Sequence, residues 1–406
     1  MPGVLPLVSL ADVQAARVLL AGVARTTPLE GSRPLSSAVG GPAYLKCENL
    51  QRTGSFKVRG AYVRIARLTE QERSRGVVAA SAGNHAQGVA LAASLLGCTA
   101  TVFMPEAAPL PKVAATKAYG AAVELFGVTV DEALQAAARF SERTGAVLIH
   151  PFDHADVIAG QGTVGLEILE QCPDVRTIVV CTGGGGLVSG IAAAVKALRP
   201  DVRVVAVQAA GAAAFPGSLA AGRPTALTSM STMADGIAIG RPGEITFAHV
   251  LELVDRVACV DDDALSRALL MCLERAKLVV EPAGAAAVAA VMEDPTSFEP
   301  PVVAVVSGGN IDPLLLAKVI RHGLIAAGRF LSLRVRIPDR PGELARLLGV
   351  LAASAANVLD VEHQRTGRGL QLDEVEVELQ LETRGREHGD HVVEQLTAAS
   401  YAVSPL

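Results

Sequence analysis

The sequence predicts an α/β fold with a parallel sheet, followed by a small α+β domain. Two observations support this prediction. From about residue 76 to residue 207, short apolar runs such as GVVAAS and TATVFMP alternate with Ala-rich amphipathic stretches such as NHAQGVALAASLLG. This alternation is typical of parallel strands connected by helices on both faces of the sheet. After residue 330 the apolar residues instead follow the period of two that half-buried strands show.

The length and composition limit the possible classes of protein. At 406 residues the chain exceeds the usual size of one hydrophobic core, so we expect two domains or one large domain with an appendage. Half of the residues are hydrophobic but only 3% are aromatic, which indicates packing by Ala, Val and Leu. The net charge of −5 and the lack of a long Lys or Arg run argue against nucleic-acid binding. Six cysteines without a C-x-x-C pair favour neither zinc nor disulfides, and we expect a cytoplasmic location.

Two uncharged stretches, residues 86–105 and 178–195, approach the length of a membrane span. Glycines interrupt each stretch between segments of different periodicity, so we expect passages between helix and strand inside a globular core, and no membrane. The first residues carry no basic region before their apolar stretch and predict no secretory signal.

The C-terminal domain is expected at residues 331–406, after a catalytic domain at 1–320 and a linker at 321–330. Alternation from 331 to 337 predicts a strand, and leucines spaced three, four and three residues apart predict the helix after it. NVLDVEHQR, a turn TGRG at 366–369 and EVEVELQLE predict a hairpin, and HVVEQLTAA predicts a second helix before a last short strand. This β-α-β-β-α-β order is the ferredoxin-like unit.

The first motif that carries chemistry is SFK, which ends at Lys57 in TGSFKVRGA. A lysine amine can form a Schiff base with an aldehyde cofactor once desolvation or nearby positive charge lowers its pKa. The start of a helix supplies such positive charge through its dipole. The alternative is an ordinary surface lysine at a helix start.

The second motif is SAGNHAQG, which begins at Ser81 between a predicted strand and a predicted helix. Ser81, Gly83 and Asn84 would present backbone N–H groups and short polar side chains at the helix start, where an anion such as a substrate carboxylate can bind. The alternative is a plain capped turn in which His85 is a structural hydrogen-bond donor.

Two glycine motifs follow predicted strands. Four consecutive glycines come after Thr182, and such a run usually allows a close approach of the backbone to a ligand, here a phosphate. The run does not fit G-x-G-x-x-G, so a single phosphate is preferred over a dinucleotide. SGGN, from Ser307 to Asn310, ends another strand, where a parallel sheet faces its ligand crevice; the alternative is a simple glycine turn.

Together, SFKVRGA, SAGNHAQG, CTGGGGL, STMADGIAIGRPGE, EPAGAAAV and SGGN resemble the motifs of fold-type II pyridoxal-phosphate (PLP) enzymes. The resemblance covers about residues 15–320 and is closest to the threonine dehydratase (threonine ammonia-lyase) and serine racemase branch. It implies a tryptophan synthase β-like fold of two subdomains with parallel sheets, the smaller and mobile one at about residues 45–150. It also implies PLP as the cofactor.

The resemblance implies a role for each motif. Lys57 would carry the cofactor as a Schiff base and take the α-proton, Phe56 would pack on the pyridine ring, and Asn84 would bond the 3-hydroxyl. Ser307 would face the ring nitrogen, which a neutral hydroxyl leaves a weaker electron sink than a carboxylate would. The backbone of Gly183, Gly184, Gly185, Gly186 and Leu187 would hold the phosphate. The substrate would lie against Ser81, Ala82, Gly83, Asn84 and His85.

The implied reaction converts L-threonine or L-serine to 2-oxobutanoate or pyruvate and ammonia, with loss of hydroxide assisted by the cofactor phosphate. Serine racemases of this branch carry a second serine where this chain has Ala82, so racemase is an alternative that lacks its proton donor. A dehydratase of another β-hydroxy amino acid and a catalytically silent amino-acid sensor are further alternatives. Gln208 and Ala214 stand where cation-binding relatives carry acidic side chains, so we expect no metal.

The last 75 or so residues resemble an ACT domain, a small module that senses amino acids. By this resemblance we expect isoleucine or valine as an effector where residues 339–342 lead into the first helix. The alternative is that the domain only assists assembly. A homodimer or a homotetramer is expected.

Overall fold

The computed structural model describes residues 6–365 and 370–405. The chain divides into two compact units, Met1–Leu316 and Ala317–Leu406.

Two sheets form the framework of the first unit. A six-stranded sheet has the order β1-β2-β10-β7-β8-β9, and a four-stranded sheet has the order β5-β4-β3-β6. All neighbours in both sheets are parallel except β1 and β2. The parallel α/β arrangement predicted from the alternation is therefore confirmed. The strands are β1 Leu29–Gly31, β2 Ala43–Cys47, β3 Val77–Ala80, β4 Ala100–Met104, β5 Ala122–Leu125, β6 Val147–Leu148, β7 Thr177–Cys181, β8 Arg203–Ala209, β9 Arg256–Val260 and β10 Val302–Val306.

Helices connect these strands and cover the sheets. They are α1 Leu10–Leu19, α2 Arg33–Val39, α3 Lys57–Ala66, α4 Glu70–Ser74, α5 Asn84–Leu95, α6 Leu110–Ala118, α7 Val130–Thr144, α8 Ala155–Gln171, α9 Gly186–Leu198, α10 Ala214–Ala221, α11 Glu244–Leu253, α12 Asp262–Met271, α13 Pro282–Glu293 and α14 Pro313–Ala326. A π-helical turn, Cys272–Ala276, follows α12. Short 3-10 helices occur at Glu48–Leu50, Ala210–Ala212, Asp235–Ile237 and Pro295–Ser297.

Helix α3 lies backbone to backbone on helix α8. A Cβ atom built on Gly160 of α8 would stand only 2.6 Å from the Cα atom of Gly60 in α3, so both positions need glycine. Because Lys57 is the first residue of α3, this close approach fixes the start of the helix relative to the core.

A buried ion cluster anchors the same helix. Arg59 contacts Glu48 at 2.8 Å and Glu167 at 2.6 Å, and Lys46 contacts the second oxygen of Glu167 at 2.6 Å. All four side chains are buried. Thr27 adds a hydroxyl hydrogen bond of 2.6 Å to Glu48. Buried charges of this kind are tolerated only when they are paired and hydrogen-bonded, as they are here.

The second unit is an antiparallel sheet covered by two helices. Its elements are β11 Phe330–Pro338, α15 Glu343–Ala353, β12 Asn357–Gln364, β13 Glu374–Glu382, α16 Arg386–Ala398 and β14 Ala402–Pro405. The sheet order is β12-β13-β11-β14. The predicted β-α-β-β-α-β order is confirmed. Its core consists of the alternating strand residues and one face of each helix: Leu333, Val335, Ile337, Leu347, Leu351, Val375, Val377, Leu379, Leu381, Val392 and Leu396.

Two boundaries differ from the sequence-based expectation. Residues 321–330, expected as a linker, continue helix α14 as far as Ala326, and strand β11 already begins at Phe330. Helix α16 begins at Arg386, five residues before HVVEQLTAA, because its first turn is polar and Gly385, at φ 131°, sets its start. The predicted turn at 366–369 lies outside the described residues.

Within the parts of the chain that the structure describes, no helix has the length and hydropathy needed to cross a membrane. The two uncharged stretches form α5 with β4, and β7 with α9.

Candidate active site

Lys57 is the first residue of helix α3, and its amine contacts the loop that follows strand β6. The Nζ atom donates a 3.0 Å hydrogen bond to the Pro151 carbonyl and lies 5.1 Å from the centre of the Phe56 ring. Burial lowers the pKa of Lys57 to about 8. Near neutral pH such an amine reaches its neutral, nucleophilic form more readily than an exposed lysine does.

The SFK loop is joined to the SGGN loop by backbone hydrogen bonds. The Phe56 N–H donates to the Ser307 carbonyl at 3.2 Å, and Ser55 forms an isolated bridge with Gly308. The Gly309 N–H donates to the Gly54 carbonyl at 2.9 Å. These contacts place the first and last motifs of the catalytic unit side by side, although about 250 residues separate them in the sequence.

The four-glycine loop leads from β7 into helix α9. Among the described residues, the backbone N–H groups of residues 183–187 find no hydrogen-bond acceptor. They stand at the N-terminus of a 13-residue helix, whose dipole favours negative charge. The arrangement suits an anion such as a phosphate.

The loop has no room for side chains because other groups support it closely. A Cβ on Gly184 would lie 2.4 Å from the Phe152 ring, and one on Gly185, at φ 98°, would lie 2.9 Å from both Phe215 and Thr246. The Thr246 hydroxyl donates to the Gly184 carbonyl at 2.6 Å.

The segment 150–153 connects the lysine and the glycine loop. Pro151 accepts the Lys57 amine, and the next residue, Phe152, packs beneath the loop. The carboxylate of Asp153 accepts the N–H groups of residues 244–246 at 2.9 to 3.0 Å and so caps helix α11, which carries Thr246. This segment therefore fixes both groups on one support.

The SAGN loop follows strand β3 and enters helix α5. Ser81 accepts the Gly83 N–H at 3.1 Å, and Ala82 lies beside it, partly buried. Asn84 donates to Glu281 at 2.6 Å. His85 turns elsewhere, since its Nε2 atom pairs with the Ile149 carbonyl at 2.8 Å, and burial lowers its pKa to about 3.

Ser307 ends strand β10 and is buried beside the glycine loop. Its Oγ atom accepts the Cys181 thiol at 3.1 Å. Burial raises the pKa of Cys181 to about 11, so the thiol stays protonated near neutral pH. The Cys181 thiol and the Ser307 hydroxyl, both neutral, thus lie together at the C-terminal ends of the neighbouring strands β7 and β10.

Gln208 and Ala214 lie at the end of β8 and the start of α10. The Gln208 side-chain oxygen accepts the Phe215 N–H at 2.8 Å, and Ala214 is buried. Across the described residues no cluster of three or more His, Cys, Asp or Glu side chains has the arrangement of a metal site.

Hydrogen bonds join the SFK, SGGN and SAGN loops to one another, whereas the His85 ring pairs with the Ile149 carbonyl. Sequence reasoning missed the 150–153 segment, Glu281 and Thr246. EPAGAAAV was noted as a motif, so a glutamate before an apolar helix could have identified Glu281. No sequence pattern indicated the supports at 150–153 and Thr246.

Comparisons with known proteins agree with this geometry. Residues 20–308 match the family described as pyridoxal-phosphate dependent enzyme, and residues 331–399 match the ACT domain. The chain is 47% identical over 98% of its length to L-threonine ammonia-lyase of Thermotoga maritima, covering 99% of that protein. It also resembles the structure of threonine deaminase isoform 2 from Solanum lycopersicum, with a TM-score of 0.75 and 40% identity over 78% of this chain and 87% of that one. Maize serine racemase is similar, with a TM-score of 0.74 and 39% identity over 79% of this chain and 99% of that one.

Proposed function

The chain belongs to the family of pyridoxal-phosphate dependent enzymes and ends in an ACT domain, and from this premise we propose that it is a threonine ammonia-lyase. Its reaction removes water and then ammonia from L-threonine to give 2-oxobutanoate, and from L-serine to give pyruvate. The fold-type II architecture predicted from the motifs is confirmed by the family and by the solved structures it resembles.

The proposal rests on one observation: a single segment, residues 150–153, supports both the Lys57 amine and the anion site at the glycine loop. The Lys57 amine bonds to Pro151, and Phe152 packs beneath a glycine loop whose N–H groups are free to hold a phosphate. A small aldehyde that carries one phosphate fits this pair of features, with the Phe56 ring beside the amine. PLP is such a molecule.

PLP, when bound, supplies an electron-withdrawing ring that stabilises negative charge at the α-carbon of the substrate. Residues 183–187 would hold its phosphate through backbone N–H groups, Phe56 would pack on its ring, and Asn84 would bond its 3-oxygen. Ser307 would face the ring nitrogen with a hydroxyl that the neutral Cys181 thiol contacts.

Lys57 has two tasks in this site. Its amine would hold the cofactor, and as a free amine it would take the proton from the α-carbon of the substrate. The lowered pKa of Lys57 supports its role as a base. An amine whose pKa is about 8 can take a proton from a carbon atom and release it again near neutral pH.

The SAGN loop holds the substrate carboxylate. Residues 81–83 precede the 12-residue helix α5, whose first N–H groups and dipole favour an anion. Ser81, Ala82, Gly83 and Asn84 line this position, and His85 acts behind it by fixing the loop to Ile149.

The small subdomain, about residues 45–150, moves against the rest of the catalytic unit as substrate enters. The Lys112–Asp235 ion pair, at 3.0 Å, supports this proposal. It joins helix α6 of the small subdomain to the 3-10 helix before α11, so movement of the subdomain would break it. The boundary of the catalytic domain lies near residue 320.

Serine racemase is the second candidate, supported by the similarity to the maize enzyme. Ala82 argues against it, since a methyl group cannot return a proton to the opposite face of the α-carbon. A silent amino-acid sensor would be expected to have lost the lysine or the glycine loop, and both are present.

The ACT unit binds isoleucine or valine where residues 339–342 enter α15, and the enzyme assembles as a homodimer or homotetramer in the cytoplasm. Gly342, at φ 94°, starts the helix at this point and supports an exposed turn there. Six free cysteines, five of them buried, agree with a reducing compartment. Equilibrium binding of isoleucine and of valine to the full chain, with sedimentation in each case, tests both statements.

Lys57→Ala tests the catalytic proposal. We expect loss of 2-oxobutanoate formation from L-threonine and loss of cofactor fixation by borohydride, with the same circular dichroism spectrum as the unmodified protein, because the lysine contributes little to the core. Lys112→Ala is the matched lysine control and keeps borohydride fixation. Undiminished turnover in Lys57→Ala would refute the assignment.

A further inference from the structure

Four motifs of the catalytic unit meet in a chain of polar side chains. Asn310 of SGGN donates its amide to the Thr53 carbonyl at 2.6 Å and to the Asn84 side-chain oxygen at 2.8 Å. A longer contact of 3.3 Å joins it to Gln87. Asn84 in turn donates to Glu281 of EPAG at 2.6 Å. The loops before α3, α5, α13 and α14 are therefore linked by one line of hydrogen bonds.

The Thr53 carbonyl determines which way the side-chain amides of Asn310 and Asn84 are oriented. A backbone carbonyl can only accept, so Asn310 must turn its NH₂ group towards it. The same NH₂ group then faces the oxygen of Asn84, which leaves the NH₂ group of Asn84 facing Glu281. A flip of either amide would place two donors or two acceptors against each other.

Asn84 has one N–H left over in this arrangement. An asparagine NH₂ group has two hydrogens, and Glu281 takes one of them. Its side-chain oxygen is engaged by Asn310. Asn84 can therefore donate this remaining N–H to an acceptor on a ligand.

Glu281 is well placed to hold this orientation. Its side chain is buried, and a Cβ on Gly308 would lie 2.2 Å from its Oε1 atom, so the carboxyl has little freedom. The charged or titratable groups that act on it are Asp235, Lys112 and Lys57, with Cys181 on the neighbouring strand. Burial, followed by Asp235, raises the pKa of Glu281 to about 7.

We infer that Glu281 is a positioning residue that holds the Asn84 amide so that its remaining N–H points to the 3-oxygen of the cofactor ring. The inference rests on the proposed role of Asn84. A donor at this place stabilises the ionised 3-oxygen over the protonated one, so Glu281 acts on the ring through Asn84 and touches neither substrate nor reacting atoms.

Two variants of Glu281 separate positioning from simple filling of space. Glu281→Gln keeps an oxygen that accepts from Asn84, and Glu281→Met fills similar volume without any acceptor. In the holoenzyme we expect Glu281→Gln to keep the absorption band near the visible edge. We expect Glu281→Met to move absorbance to shorter wavelength and to weaken cofactor binding to the apoprotein about tenfold, the loss of one oriented hydrogen bond.

A double-mutant cycle with Asn84→Ala tests the route of the effect. If Glu281 acts through Asn84, Glu281→Met changes neither spectrum nor cofactor affinity further once Asn84 is alanine. Asn310→Ala removes the other constraint on Asn84 and should reproduce the spectral shift, which keeps the test decisive if Glu281→Met does not fold.

The outcomes distinguish the inference from the proposed function. Failure of borohydride to fix cofactor on Lys57 in the unmodified holoenzyme would remove the proposed function itself. Normal fixation, together with a Glu281→Met or Asn310→Ala spectrum identical to that of the unmodified protein, or with a Glu281→Met effect that persists undiminished in the Asn84→Ala background, would overturn the inference alone.

Discussion

Gly184→Ala should weaken cofactor binding because the added methyl group has no space. Its Cβ would stand 2.4 Å from two carbons of the Phe152 ring, about 1 Å closer than ordinary carbon contacts. The ring has little room to withdraw, since it packs against His150 with ring centres 4.7 Å apart and the Phe152 Cα atom lies 3.0 Å from where a Cβ on Gly186 would stand. The glycine loop must therefore move instead.

The expected magnitude follows from the cost of overpacking, about 1 to 3 kcal/mol. The apoprotein can relieve this strain by displacing the loop, and cofactor binding must reverse that displacement. We therefore expect the dissociation constant of PLP to rise about 5-fold to 150-fold. Titration of the apoprotein with PLP, followed by absorbance, measures it.

Gly217→Ala is the matched control, because a Cβ on Gly217, within α10, meets no atom within 4 Å. It should bind PLP as the unmodified protein does. Phe152→Leu removes the ring atoms that the methyl group meets, so the cost of Gly184→Ala should shrink when both changes are combined. An unchanged dissociation constant in Gly184→Ala, or an equal cost with and without the Phe152 ring, would refute the steric reasoning.

Three further predictions concern stability and stereochemistry. Arg59→Met leaves two buried carboxylates without their main partner and should lower the free energy of unfolding in urea by about 3 to 5 kcal/mol. Arg17→Met, the control, breaks an exposed ion pair and should lower it by less than about 1 kcal/mol. Similar losses in the two variants would contradict the account of the buried cluster. Because the pKa of Glu281 is raised from 4.5 to about 7, its contribution to stability is greatest below pH 4.5 and falls as the pH rises to 7. The free energy of unfolding of the apoprotein relative to Glu281→Gln should therefore drop by about 3 kcal/mol between pH 4.5 and 8, and a pH-independent difference would speak against a protonated buried carboxyl. Ala82→Ser supplies a hydroxyl on the opposite face and should yield D-serine from L-serine on chiral chromatography; its absence would undermine the reasoning on Ala82.

The fold was predictable where the apolar period was strong. The runs around β3, β4, β7 and β8 are short and apolar, and each is followed by a helix that contains several alanines, so the parallel arrangement follows from local pattern alone. Helix α14 extends into the expected linker because apolar residues continue at helical spacing through Ala326.

The site was predictable where backbone chemistry alone defines it. Four glycines before a helix indicate an anion site without any knowledge of the fold. The supports of that site were not predictable, because Phe152, Asp153 and Thr246 lie far from it in sequence and have no distinctive spacing. The EPAGAAAV motif could indicate Glu281 but not its partner, since Asn84 is 197 positions away in the sequence. Long-range contacts between single side chains leave no periodic signal.

Strand β10 is the last strand of the six-stranded sheet to be synthesised, so the sheet cannot be completed before it emerges. It lies between β2 and β7 in the six-stranded sheet, pairing residues 302–306 with residues 43–47 on one side and residues 302–305 with residues 177–180 on the other. At the usual rates of translation, about 10 to 50 s pass between the emergence of β2 and that of β10. Until β10 emerges, β2 exposes an unpaired edge, and so does β7 once it has been synthesised; such edges are where nascent chains aggregate. Because Ser307 and the SGGN loop directly follow β10, we expect the cofactor site to be completed only after this strand has been inserted.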